Sequence, residues 1–183
     1  MRIIIITGMP GSGKSELAGL FQSAGYPIIT MGDVIREETR RRGLEPNPEN
    51  TRAVMLQLRE TDGPGAVAKR CVDMLRNSAY ASVVIEGCRS IAELDEFQKL
   101  SSDMRVICVH SSPATRFKRL HNRGREDAPP DWATFRERDI REISVGLGGV
   151  IALSDTMVVN EGTLKELSKK ARALTAEAER NGD

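Results

Sequence analysis

No apolar run in this 183-residue chain approaches the roughly 18–20 residues that a membrane-crossing helix needs, so no span is expected. The first apolar run, Ile3-Ile4-Ile5-Ile6, is too short for a secretory leader and leads directly into a glycine-rich segment. Cysteine is scarce. Cys71, Cys88 and Cys108 form an odd, widely spaced set without a C-x-x-C pair, which argues against a disulfide framework or a zinc site. They read as buried or neutral thiols in a reducing, cytoplasmic compartment. Net charge is nearly absent too: 27 Lys and Arg against 26 Asp and Glu leave +1, which argues against a protein that coats nucleic acid or an anionic membrane. There is no internal repeat and no low-complexity tract, and the length suits one domain with a full core and a short insertion. Lysine is depleted, 7 against 20 Arg. Guanidinium forks grip phosphate oxygens in a bidentate way, so this bias suits phosphate handling, and equally surface salt bridging.

What the chain does have, early, is Gly8-Met9-Pro10-Gly11-Ser12-Gly13-Lys14-Ser15. This is G-x-x-x-x-G-K-[ST] between an apolar run of strand length and the helically spaced Glu16-Leu17-Ala18-Gly19-Leu20-Phe21. The glycines allow backbone angles other residues resist, so successive N–H groups converge on a phosphate, and the helix N-terminus adds partial positive charge there. Lys14 would reach the β- and γ-phosphates, and the Ser15 hydroxyl would ligate Mg2+. Gly8 to Ser15, with Glu16 beside them, are therefore candidate ATP-binding residues, and Mg2+ is the expected metal.

Along the rest of the chain, strands are expected at residues 2–7, 27–30, 83–86, 105–109 and 156–160. Helices are expected from about 14 to near Gly25, from Met31 to around Gly43, after the Pro46–Asn50 break with Asn47 or Asn50 as cap, and from the Gly63-Pro64-Gly65 break to about Asn77. Further helical patterns run through Ile91, Leu94 and Phe97, from Pro113 to about Arg123, from Asp131 to about Ile143, and from Gly162-Thr163 onward. Phe117 and Leu120 should face inward on the Pro113 helix, and Leu164, Leu167, Ala171 and Leu174 are read as core on the last. Alternation of strands and helices implies a three-layer α/β/α fold around a five-stranded parallel sheet, with ligands at the carboxyl ends of the strands. The polar residues just beyond those ends are Asp33 and Arg36, Glu86 and Arg89, His110, and Asn160.

Three segments carry a family resemblance. Thr30-Met31-Gly32-Asp33-Val34-Ile35-Arg36 resembles the T-G-D-x-x-R opening of the acceptor-binding helix of adenylate kinases. Ile85-Glu86-Gly87-Cys88-Arg89 is similar to their D-G-F-P-R turn, and Arg119-Leu120-His121-Asn122-Arg123-Gly124-Arg125 to the arginine-bearing entrance of their lid. Arg136 and Arg138 are similar to arginines on the lid's far side. Over nearly its whole length the chain resembles an archaeal family of P-loop kinase-like proteins, adenylate-kinase-related or dephospho-CoA-kinase-related. Met31-Gly32-Asp33, Ala68-Lys69-Arg70-Cys71, Arg116-Phe117, Gly146-Leu147-Gly148 and Val159-Asn160-Glu161-Gly162 fit that family. The resemblance implies a nucleoside monophosphate kinase type of P-loop fold in one domain spanning 1–183. Its core would be residues 1–30, 80–115 and 150–183, its acceptor-binding helical region about 31–79, and its short lid about 119–141.

Phosphoryl transfer needs positioning and positive charge around the moving group more than covalent chemistry from the protein. Arg36 and Arg89, at the ends of two strands, are candidates to clamp an acceptor phosphate. Arg119 and Arg123, four residues apart, would close over the donor phosphates, with Arg136 or Arg138 completing the cage. Each lid arginine also fits a plain surface role. Glu86 stands where such kinases usually carry an Asp, and would hold the magnesium shell through water or simply cap the loop. Asp33 separates two mechanisms. With a monophosphate acceptor (AMP or CMP) it would orient ribose, cap its helix or help the metal; with a hydroxyl acceptor, as in dephospho-CoA, it would be the general base. Asn160 would lie beside the donor adenine or cap the last helix. A nucleotide switch that hydrolyses ATP slowly and works through a protein partner is a further alternative, and the chain is read as a monomer or small homo-oligomer. His110 is read as a loop or core residue, His121 as surface, and the lone Trp132 as an anchor for the helix after the lid.

Overall fold

The computed structural model describes residues 1–124 and 128–180. In chain order the elements are β1 (Arg2–Thr7), α1 (Lys14–Ser23), β2 (Ile28–Thr30), α2 (Met31–Arg41), α3 (Pro48–Asp62), α4 (Ala66–Arg76), β3 (Ser82–Glu86), α5 (Ile91–Leu100), β4 (Met104–His110), α6 (Pro113–Asn122), α7 (Trp132–Val145), α8 (Leu147–Ala152), β5 (Thr156–Val159) and α9 (Leu164–Arg180). The sheet order is β2-β3-β1-β4-β5, and every neighbouring pair is parallel. Among the described residues no helix is long and apolar enough to cross a membrane.

Four consecutive isoleucines build the centre of the molecule because strand side chains alternate between faces. Ile3 and Ile5 join Leu58, Leu75, Ile85 and Phe97 beneath α3, α4 and α5. Ile4 and Ile6 join Leu17, Phe21, Leu167, Ala171 and Leu174 beneath α1 and α9. A strand covered on both faces has no room for the polar alternation of a half-exposed one, which is why this run is continuous.

Register aligns the functional ends. Ile6 pairs with Glu86, Thr7 with Cys108 and Thr30 with Glu86, so the segments leaving β1, β2 and β3 emerge along one edge.

Several details differ from the sequence expectations. Asn47 alone caps α3, its side chain accepting from Asn50 N. The helical stretch from Trp132 continues past Gly146 as the separate α8, and His110 ends β4 instead of following it. Leu164 is 61% exposed and is not core, because α9 begins there and its apolar stripe meets the sheet from Leu167 onward, through Ala171, Leu174 and Ala178. All three cysteines are buried.

Candidate active site

Residues 8–13 form the loop between β1 and α1. Gly13 caps α1 with φ 102, a left-handed angle that only glycine adopts without strain, and a Cβ there would overlap Asn160 Nδ2. No side chain caps α1, so the amides of its first turn are free of side-chain competition for an anion. The loop carbonyls, in contrast, are held from behind. Ser12 O accepts from Asn160 Nδ2 at 2.8 Å and lies 3.4 Å from Arg119 Nη1, while Pro10 O accepts from Arg116 Nη1 at 3.2 Å. Tying the carbonyls away from the cleft leaves the N–H side of the loop to face it. Ser12 Oγ is buried without a hydrogen-bond partner.

Lys14 and Ser15 open α1. Ser15 Oγ donates to Glu86 Oε1 at 2.7 Å, across the gap between the β1 loop and the end of β3. A hydroxyl and a carboxylate side by side are the donor set a hard divalent cation takes through oxygen or water, so these residues fit Mg2+. Lys14 Nζ lies 3.3 Å from Met9 O. Its pKa falls from 10.5 to about 8, chiefly through burial and then through the positive charge of Arg89. Glu86 and Glu142 offset part of that, and Arg138 adds to it. A cation held at such a cost fits a polyphosphate, whose charge would restore it. When bound, Mg2+ would neutralise phosphate charge between Ser15 and Glu86.

Arg89, just past β3, is half-exposed, and its Nη1 lies 3.5 Å from Glu142 Oε2 on α7. Its turn is shaped by Glu93, which is 2% exposed: Oε2 accepts from Arg89 N at 2.7 Å and Oε1 from Arg59 Nη2 at 3.1 Å. Arg36 folds back on Asp33, with Nη2 2.5 Å from Oδ1, so Asp33 caps nothing and instead holds Arg36 at the start of α2. Arg123 stands at the C-cap of α6, one residue beyond the helix, 3.9 Å from Glu16 Oε1. Glu16 therefore turns its side chain towards Arg123. Arg119 faces the phosphate loop through Ser12 O and Ser111 Oγ, the latter at 2.9 Å. Arg138 influences Lys14, whereas Arg136 is exposed. Arg125 lies outside the described residues.

Asn160 follows β5, and its side chain holds the phosphate loop; it does not cap α9, where Thr163 and Glu166 bond reciprocally. Beside it a cavity of about 480 Å³ is lined by Val159, Asn160, Glu161, Gly162, Leu167 and Lys170 among others. His121 Nδ1 lies 3.1 Å from Pro129 O, and Trp132 packs edge-on against Phe117 where α6 and α7 meet.

Five residues to which the sequence reading gave no role of their own organise this site. Arg116 and Asp139 form a bidentate pair at 2.7 and 2.6 Å, each side chain 4% exposed, with Arg116 also 5.0 Å above the Phe135 ring. The pair joins α6 and α7 and fastens both to Pro10. Glu161 binds Ser112 N and Thr115 Oγ1, locking the start of α6 to the β5 loop. Glu142 reaches Arg89. Glu93 had a local signal, since Ser90-x-x-Glu93 is a capping box spacing; the other four pair across long sequence separations and had none.

A parallel sheet in this order, an uncapped glycine loop feeding α1, and arginine-bearing helices facing it define a P-loop kinase-like protein. A family model described as an AAA domain matches residues 7–136. A UPF0200 protein of Hyperthermus butylicus is 45% identical over 172 residues, covering 94% of this chain and 92% of the relative. The chain belongs to the UPF0200 family. Among solved structures it is similar to TT1252 from Thermus thermophilus, with a TM-score of 0.62, 21% identity, and 96% and 97% of the two chains covered. It is also similar to shikimate kinase from Aquifex aeolicus, with a TM-score of 0.56, 15% identity, and all of both chains covered. At those identities the likeness concerns the fold.

Proposed function

We propose that this protein is an ATP- and Mg2+-dependent phosphotransferase that moves the γ-phosphoryl group of ATP to a nucleoside monophosphate, AMP first and CMP second. The observation that carries the reading is the convergence on one cleft of Lys14, at the start of α1, and Arg89, just past β3, near enough that the positive charge of Arg89 disfavours that of Lys14. Proteins keep such repulsion where an anion is to be gripped in the transition state. In the transfer, an acceptor phosphate oxygen bonds to the γ-phosphorus as the bridge to the β-phosphate breaks. That oxygen is already anionic, so no base is needed. Lys14 would follow the β- and γ-oxygens, Ser15 and Glu86 would hold the metal, Arg89 and Arg36 the acceptor, and Arg119, Arg123 and Arg138 the donor side. The cavity beside Asn160 offers room for the donor base.

A second reading, with a hydroxyl acceptor such as that of dephospho-CoA, is favoured by one observation: Asp33 is held at the start of α2 by Arg36, where a carboxylate could take the hydroxyl proton. A coupled assay with ATP and Mg2+ against AMP, CMP, UMP, GMP, dephospho-CoA and water alone tests both. Diphosphate from one monophosphate is the expected result, and Arg89→Ala should then raise that acceptor's KM or lower kcat by at least about tenfold. Phosphorylated dephospho-CoA would move the assignment to the second reading. Turnover with water alone, unchanged by every acceptor, would sink both and leave a partner-stimulated ATPase.

A further inference from the structure

The lid helix α7 makes two carboxylate–arginine contacts one turn apart, and they differ in kind. Asp139 binds Arg116 through two short hydrogen bonds in a site closed to water, and Arg116 is bonded in turn to Pro10 O and lies 3.2 Å from Ser111 O. That contact is a fixed joint. Glu142 meets Arg89 through one contact at 3.5 Å, and the Arg89 side chain is 48% exposed, open to other partners. Glu142 itself is only 15% exposed, turned inward on the face of α7 that carries Phe135 and Asp139. It is a carboxylate held against the cations of the cleft, where an acidic group opposes the binding of phosphates.

We infer that Glu142 is a positioning residue, a removable counter-ion on Arg89 that an incoming acceptor phosphate must displace, so that acceptor binding and the release of α7 from Arg89 are one event. The inference rests on the proposed role of Arg89 as the acceptor clamp. Glu142 occupies the Nη1 edge of the Arg89 fork, the edge a bidentate phosphate also uses, and a phosphate dianion brings more charge and more acceptor oxygens than a carboxylate. The phosphate therefore wins the exchange, but the exchange weakens its net binding by the strength of the contact it replaces. For a half-exposed pair that contact corresponds to about two- to fivefold in affinity. Displacement also frees α7 to shift about the Arg116–Asp139 joint. Trp132, the chain's single tryptophan and the first residue of α7, reports that movement.

The test is a titration with inorganic phosphate, so it does not depend on which acceptor the enzyme uses. The Arg89 side-chain Nε–H resonance, assigned by its loss in Arg89→Lys, and Trp132 fluorescence are followed in the wild type, in Glu142→Gln and in Glu137→Gln. Glu137 is exposed on the same helix and controls for the change in net charge. The expected result is that half-saturation at Arg89 falls about two- to fivefold in Glu142→Gln and stays at the wild-type value in Glu137→Gln. The Trp132 signal should change with phosphate in the wild type and already be part-way to its end point in Glu142→Gln. Equal or weaker phosphate binding at Arg89 in Glu142→Gln would overturn the inference, as would a Trp132 signal indifferent to both phosphate and the substitution. Failure of the kinase reading shows separately, in the acceptor panel, and leaves this titration readable.

Discussion

Removing the carboxylate of Asp139 should cost more than any other single charge deletion on α6 or α7. Both members of the Arg116–Asp139 pair are 4% exposed, so Asp139→Ala leaves a guanidinium in a closed site with only carbonyls and the Phe135 ring for company. Breaking one side of a buried pair costs about 3–5 kcal/mol, because the remaining charge keeps its desolvation penalty and loses its compensation. In a chain of this size, about 2–4 °C of melting temperature goes with each kcal/mol, so a fall of about 6–20 °C is expected. By comparison, Glu37→Ala, which breaks an exposed pair with Arg40, should stay within about 0.5 kcal/mol of wild type. The assay is denaturant and thermal unfolding, with ATP affinity measured alongside. The double variant Arg116→Met/Asp139→Leu separates two roles. Apolar replacement should restore most of the stability, but Pro10 O then has no guanidinium donor and ATP should still bind more weakly than to wild type. A loss under about 1 kcal/mol in Asp139→Ala would refute the reasoning, and so would a double variant no more stable than the single one.

The Lys14 pKa of about 8 has two consequences of opposite sign. ATP binding should weaken as pH rises through about 8, where the ammonium loses its proton, and Lys14→Met should abolish that dependence together with most of the affinity. The unfolded chain holds this proton up to the ordinary value of 10.5, so between about 8 and 10.5 the unfolded state binds more protons and folding stability attributable to Lys14 rises with pH, to be lost as pH falls through about 8. Gly13→Ala forces a side chain into a left-handed angle and into Asn160, and should cost about 1–3 kcal/mol in urea unfolding with loss of ATP binding. Ser15→Ala should raise the Mg2+ concentration for half-maximal turnover by about tenfold or more, and because it takes the hydroxyl donor from the buried Glu86 it should also cost about 1–3 kcal/mol in urea unfolding.

The parts of this site that could be read from the sequence are those whose physics is local. Gly8 to Ser15 announce a phosphate loop because backbone angle, helix start and charge coincide within eight residues, and the five strands announce themselves by apolar runs. Arg36, Arg89 and Asn160 were legible as positions beyond strand ends. Their partners were not. Nothing near Arg116 in sequence says that Asp139, on the next helix, will close its fork, and a charged residue among Phe117 and Leu120 reads as the solvated side of a helix until the pairing is seen. Glu142 and Glu161 were hidden in the same way. The error at Leu164 has a different cause: helical spacing extrapolated the apolar stripe of α9 one turn beyond the point where the sheet stops supporting it.

The three buried cysteines turn the protein into a recorder of its own breathing. Burial holds the Cys71 thiol up at about 12 and the Cys108 thiol at about 11, and pushes Cys88 up as well, so at neutral pH none offers a thiolate to an alkylating reagent while the fold is closed. Labelling then proceeds only as fast as each locality opens. Cys88 sits in the turn beside Arg89, Cys71 in α4, and Cys108 in a strand paired on both sides. The order of modification along that series, with and without nucleotide, would map which layer of the molecule yields first and which one a bound phosphate clamps shut.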